Sequence, residues 1–568
     1  MKNLKAQFKI IIYLFLLLNT SNIVLAKNLD QFSNPLDVSN YFSGILSIND
    51  SQYKKSYSYL KSLNNLEDSH YNYSQYYLYS LVSLGKFKDA AKYSKKLNDK
   101  KLDSFESNLI SVVYYLEDKD IKNALFYLKK LKGKNPPGSI QNLLSSSLNA
   151  WINFRNISDL KSGLILLDAI PKNFENIKNI QEIFAYCYFD SPKTDEIFKK
   201  LTTRNDVNYS RYNFFHINYL ISKNKEEKTK EVIKSSLERY PKNLTLNQLK
   251  IDLETRKTFN NQFDCKNPAD IIAEILYVTS SVLAAKKNFV GSNFYINLAK
   301  YLNSNLASFD TLHAENFYLM QEFEEAKKIY IEIKKKGAAY NWYASKKIAS
   351  IYIKQEKKKD AINSIKKTFE KIVYPTIYEI FDYAEFLKNN EKYEESIKYY
   401  SQVLSLIKTT DNLYGQVMDG RGIAYDRTDQ WGKAEIDLTN SLKKSPNDAY
   451  AINYLAYSWI EKGINVKKSL DMLRKANKLK PNDGYIIDSL GWALFKLKNY
   501  KESKQQLELA VTYMASDPVI NDHYADALWM NNKALQARYY WNYVLNLKKT
   551  EEKLRKKIEK KLLFGLKS

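Results

Sequence analysis

Four histidines and two cysteines are the side chains in this 568-residue chain best suited to metal binding or nucleophilic chemistry, and their spacing argues against both. His70, His216, His313 and His523 lie far apart, and none belongs to a His-Glu-x-x-His pattern that would put two imidazoles on one helix face around a zinc ion. Cys187 and Cys265 are singletons with no Cys-x-x-Cys spacing. Asp and Glu pairs are frequent, but on amphipathic helices they form solvated faces, and none is set apart in the apolar surroundings that general acid catalysis needs. No Gly-x-Gly-x-x-Gly, no phosphate-cradling Gly-Lys-Ser/Thr loop and no Gly-x-Ser-x-Gly elbow occurs. The reading is a non-enzyme with no catalytic residue, no cofactor and no metal.

The elements that position the remaining residues are set by composition first. Fifteen glycines over this length leave few residues for hairpin turns or nucleotide loops, and 44% hydrophobic residues can bury cores, so an all-helical chain fits best. The formal charge of +25 invites a nucleic-acid reading, since a basic surface releases phosphate counterions. Nearly all of that charge is lysine, however, and base readout favours the arginine fork, so nucleic acid is not expected as a partner. Enrichment of Lys, Asn, Tyr, Ile and Phe together is what an A+T-rich genome imposes through its codons.

Residues 1–26 read as a secretory signal: Lys2, Lys5 and Lys9, then the apolar run Ile10–Leu18, then Val24-Leu25-Ala26 before Lys27. The run is too short to cross a bilayer, which takes about 20 residues. Cleavage after Ala26 would leave a chain at about +22, placed in the periplasm or outer envelope of a Gram-negative bacterium. No later stretch approaches 18 apolar residues, so the mature chain is expected to be soluble.

Beyond the signal, the chain is organised by a period of 34 residues. Within each unit a small residue recurs at position 8, a large one at 11, a small one at 20 and a large one at 24. The unit from Gly415 carries Gly422, Tyr425, Ala434, Leu438 and Pro446; that from Ala449 carries Ala456, Trp459, Ser469, Leu473 and Pro481. Gly491, Leu494, Ser503 and Leu507 mark the unit from Gly484, and Ala525, Leu528, Ala537 and Trp541 that from Pro518. Starts near 377, 342 and 307, and again at 37, 71 and 105, keep the register. Small residues let two helices approach, large ones fill between them, and Pro ends the second helix.

These positions resemble the signature of tetratricopeptide repeats, and the C-terminal repeats resemble those of large proteobacterial envelope proteins of this superfamily. The resemblance implies an all-α, right-handed superhelical solenoid of about 14–16 helix-turn-helix hairpins. The organisation expected is signal 1–26, N-terminal repeats 27–134, degenerate helical repeats 135–306, a regular array 307–547 and a basic C-terminal capping helix 548–568. Breaks at Asn135-Pro136-Pro137-Gly138 and near 260–268 bound the degenerate part. His313, at position 7 of its unit, reads as a packed helical residue. In an oxidising compartment a Cys187–Cys265 disulfide is possible; solenoid contacts run mostly between neighbours and the two cysteines are about two units apart, which weighs against it without deciding it. For the Lys548–Lys561 helix, a membrane-surface role is the alternative to a cap.

In the family resembled, positions 2, 5, 9, 12 and 13 of the first helix face a concave groove that takes peptides or partner segments. Carried over, the C-terminal groove presents Gln416, Asp419, Ile423, Asp426 and Arg427; Tyr450, Asn453, Tyr457 and Ile460; Tyr485, Asp488, Trp492 and Phe495; and Asp522, Asp526, Trp529 and Met530. Alternating carboxylates and aromatics imply a ligand offering apolar side chains with basic groups; alternatively Trp492 and Trp529 pack on neighbouring helices. Position 9 lacks the Asn used to clamp a terminal carboxylate. The function expected is a non-catalytic exported scaffold binding protein or peptide partners in envelope assembly or export. The alternative is a peripheral binder of an anionic membrane surface or glycan through a basic face.

Overall fold

In a computed structural model, residues 35–63, 66–131, 136–204, 208–255 and 262–566 are described. The expected signal segment lies outside them. The described residues form thirty α-helices and no strand, and twenty-six of the helices pack pairwise into thirteen hairpins. The chain divides into two compact units, up to Ser364 and from Ile365.

Hairpin closure has the cause that the repeat pattern implies. A methyl group on Gly491 would stand 2.6 Å from Leu507 Cγ, and one on Gly422 2.8 Å from Leu438 Cγ, so the small residue at position 8 is where the two helices touch. In the second unit Asp448, Asp483 and Asp517 each accept two backbone N–H groups at the start of a first helix, satisfying donors that a helix leaves open. These caps recur with the repeat and fix where each hairpin begins.

In the first unit the repeat spacing continues with helices at Ile140–Asn153, Glu175–Tyr188 and Ser210–Ser222, whose starts are 35 residues apart, each followed by a partner. After Leu244–Glu254 the chain turns back on itself. Helix Pro268–Ala285 packs on Ile140–Asn153, and Phe289–Leu302 packs on Tyr71–Ser83 and Phe105–Glu117. Phe294 stacks on Tyr79 at 4.4 Å, Tyr301 on Phe87 at 4.0 Å, and Asn293 Nδ2 donates to Tyr53 Oη at 2.9 Å. The first-helix faces of the N-terminal repeats are thus filled by a later hairpin of the same chain.

This return settles the cysteine pairing and overturns one expectation. Cys187 and Cys265 are joined in a disulfide, Cα to Cα 5.9 Å, because the segment ahead of Pro268 crosses helix Glu175–Tyr188; the neighbour-only rule fails once the chain folds back. Phe263 anchors the same crossing against Phe184 and Phe215 at 5.2 and 4.4 Å. Helix Pro268–Ala285 is also long and apolar enough, by length and composition, to cross a membrane, contrary to the reading of no such stretch. Its Ile271, Ile272, Ile275 and Leu276 are buried in the core of the first unit, and its buried Glu274 accepts two bonds from Arg211 at 2.7 and 2.5 Å. His313 is buried beside Phe317 at 4.9 Å, and burial pushes its pKa down to about 3.

Candidate partner-binding face

Four first helices, Tyr414–Arg427, Ala449–Lys462, Gly484–Lys496 and Pro518–Met530, carry the expected groove residues. Position 5 is Asp419, Asn453, Asp488 and Asp522 in turn, so one polar side chain per repeat lies on the same face. The four are not equivalent.

On the last helix Asp522 and Asp526 are buried. Lys561 Nζ lies 2.5 Å from Asp522 Oδ1 and 2.6 Å from Asp526 Oδ1, Lys557 Nζ is 3.5 Å from Asp522, and Trp541 Nε1–H donates to Asp526 at 3.0 Å. Burial, then the Asp522 charge, raises the Asp526 pKa, while Lys561 pulls it down. The lysines come from helix Glu552–Phe564, whose Ile558 is buried and whose Leu554 and Leu562 pack around Trp541. Gly565, at φ 68°, then passes the half-buried Trp529 so closely that a Cβ would overlap the indole ring. The chain itself occupies this end of the face.

One repeat earlier Asp488 is buried and accepts from His523 Nδ1 at 3.0 Å. Trp492 is buried between the rings of His523 at 4.0 Å and Phe495 at 4.8 Å, and its Nε1–H donates to Glu461 at 2.6 Å. Asp488, Trp492, Asp522 and Asp526 therefore do not face a partner, which corrects the reading of them as ligand contacts; the next repeat and the terminal helix cover them. Asp426 is engaged as well, by Lys462 at 3.2 Å, Tyr454 at 3.0 Å and Ser458 at 3.3 Å.

Asp419 and Asn453 differ. Each is half-buried, with a shielded Oδ1 that accepts no hydrogen bond among the described residues. Burial pushes the Asp419 carboxyl up to about 6, with Lys388 opposing and Asp448 and Glu385 adding to the rise. Tyr457 is half-buried, while Tyr450, Tyr485 and Arg427 are exposed; the Tyr450 hydroxyl donates to the cap Asp483 at 3.0 Å. The partners missed by sequence reasoning are Lys557, Lys561, His523 and Glu461. Nothing in a lysine-rich helix marks the two lysines that turn inward, but His523 adjoins position 5 of its own helix, so the 35-residue offset to Asp488, one repeat and one residue, was available. Among the described residues no three His, Cys, Asp or Glu side chains group as metal ligands.

No family model matches the chain. A TPR repeat-containing protein of Pseudomonas aeruginosa is 26% identical over 135 residues, covering 22% of this chain and 21% of that protein. The chain thus spans about a fifth of the length of that relative. Among solved structures, the Cut9–Hcn1 hetero-tetramer of the APC/C aligns over 94% of this chain and 96% of its own at 14% identity and a TM-score of 0.37. A tetratricopeptide repeat protein from Parabacteroides merdae aligns over 39% and 87% at 17% identity and a TM-score of 0.32. Over those 135 residues the chain is similar to a TPR repeat-containing protein, and its repeat spacing and hairpin contacts make it an all-α array of helix-turn-helix units.

Proposed function

We propose that the protein is a non-catalytic exported scaffold that binds a protein partner on the first-helix face formed by residues 414–462, in cell-envelope assembly or export. The apolar segment with its basic start supports the export reading. One observation carries the binding reading. At a position repeated through the array, two carboxylates are met by side chains of the chain itself, Asp522 by Lys561 and Asp488 by His523, while Asp419 and Asn453 each hold a buried oxygen open among the described residues. An unsatisfied buried acceptor costs about 1–3 kcal/mol, and a partner presenting an ammonium, guanidinium or amide N–H removes that cost. The two occupied rungs indicate which groups are complementary there.

Asp419→Asn separates this reading from a purely structural role. Because the folded-state pKa is raised, the ionised carboxylate disfavours the fold above pH 6 and is neutralised as pH falls toward its unfolded value. The variant is therefore expected to be as stable as the natural protein, or more stable by about 1–3 kcal/mol at pH 8, with the difference vanishing in acid. Photo-cross-linking in cells from position 427 should capture a partner with the natural protein and lose about ten-fold of it with Asp419→Asn. Equal capture by both forms would remove the face from consideration.

A further inference from the structure

Between the second helices of two successive N-terminal hairpins, Tyr53–Lys61 and Phe87–Asp99, the surface opens into a cleft of about 730 Å³. Tyrosine builds its floor. The rings of Tyr57 and Tyr77 are parallel within 8° at 6.0 Å, and Tyr93 meets Tyr77 edge-on at 4.9 Å. All three are half-buried, and Tyr77 is sandwiched between Tyr57 and Tyr73, which stacks on it at 5.9 Å. Lysine builds the rim. Lys96 and Lys100 are held by the buried Glu67, Lys100 at 2.9 Å, whereas Lys61, Lys92 and Lys95 are exposed and form no ion pair among the described residues. Two carboxylates also line the cleft, of which Asp89 is offset by Lys86 at 3.9 Å, so positive charge is in excess.

From this cleft we infer a binding site for an acidic sugar chain, a polymer or oligomer carrying uronic-acid carboxylates. Three properties select that class. The free ammonium groups call for anions spaced along a ligand, not for a single charge. The Tyr57 ring, over which the mobile ammonium groups of Lys61 and Lys86 lie at 5.6 and 5.0 Å from the centroid, suits the flat C–H side of a pyranose ring that takes their place, since its polarised hydrogens are drawn to the same ring quadrupole. The site is a trough, and none of the side chains lining it is aliphatic, so it lacks the apolar anchors with which an interfacial helix enters a bilayer. The cleft is independent of the partner-binding face, which lies in the other unit.

The test uses the full mature chain, oligogalacturonate as probe and a neutral malto-oligosaccharide as control. Saturable binding to the acidic oligomer alone is expected, weakening steeply with salt. Lys92→Glu/Lys95→Glu should weaken it at least about ten-fold, Tyr57→Ala should weaken it while leaving the salt dependence unchanged, and Lys366→Glu/Lys367→Glu, which alters the same charge elsewhere, should have no effect. Asp419→Asn should bind the sugar as the natural protein does. Absence of saturable binding, equal loss from both charge reversals, or an unaffected Tyr57→Ala would overturn the site. So would binding of phosphatidylglycerol vesicles with the same variant sensitivity, which would assign the cleft to a membrane.

Discussion

Position 5 of four successive repeats holds three aspartates and an asparagine, and their neighbours decide what each can do. Asp488 meets His523, Asp522 meets two lysines, and Asp419 Oδ1 meets no donor among the described residues. The His523 pair makes the difference measurable. Burial disfavours the imidazolium, but Asp488, then Asp522 and Asp526, outweigh it and raise the pKa above its ordinary value. A raised folded-state pKa stabilises fully below the unfolded value of about 6.5, and that stability is lost as pH rises through the folded one. The stability gap between the natural protein and His523→Gln is therefore expected to be widest near pH 6 and to shrink in alkali. A gap that stays constant from pH 6 to 9 would contradict an ionised His523. At this scale the sequence was readable for position and not for state. Repeat arithmetic placed all four residues on one face, but whether a carboxylate is open depends on cations reaching it from 35 or 39 residues away, which no local pattern encodes.

Scarcity of glycine leaves its mark on the hairpins. The turn joining the two helices of a hairpin needs one residue in the left-handed region, and Lys498 (φ 63°), Asn532 (φ 61°) and Glu391 (φ 64°) take it where Gly85 and Gly463 do so elsewhere. A side chain there costs roughly 1–2 kcal/mol in strain, and glycine costs about 0.5–1 kcal/mol in backbone entropy, so replacement favours glycine by a few tenths to 1 kcal/mol. Lys498 is exposed, and its backbone N–H bonds to Phe495 O at 2.9 Å, a contact glycine keeps. Lys498→Gly is thus expected to raise the denaturation midpoint, as urea unfolding would show; a lowered midpoint would mean that the lysine side chain does something the strain argument omits. The helices themselves were readable because each unit repeats the same small-against-large contact, as at Gly491 and Leu507. The signature blurs between 135 and 306 for a physical reason. Leu143, Leu144 and Trp151 are buried in one core with Ile271, Ile272 and Leu276 of the returning hairpin, so their sizes answer to a distant segment instead of the adjacent repeat.

Across the whole molecule, long-range ties within each unit replace the purely local stacking that a 34-residue period implies. The first unit is closed by its returning hairpin and by the Cys187–Cys265 disulfide; the second ends in a helix pinned by Lys561 between two buried aspartates. Neither tie spans the division at Ser364/Ile365, so each should act on one unit alone. Removing a disulfide from a loop of this length costs about 2–5 kcal/mol, and stripping a buried pair of carboxylates of their cation costs about 3–5 kcal/mol because the charges stay behind uncompensated. Calorimetry of the protein is therefore expected to show two transitions, one lowered by Cys187→Ser/Cys265→Ser and the other by Lys561→Met. The double lesion should lower each transition by the shift that its own lesion causes alone, as independent sites require. One transition that moves with either change would mean that the units fold together.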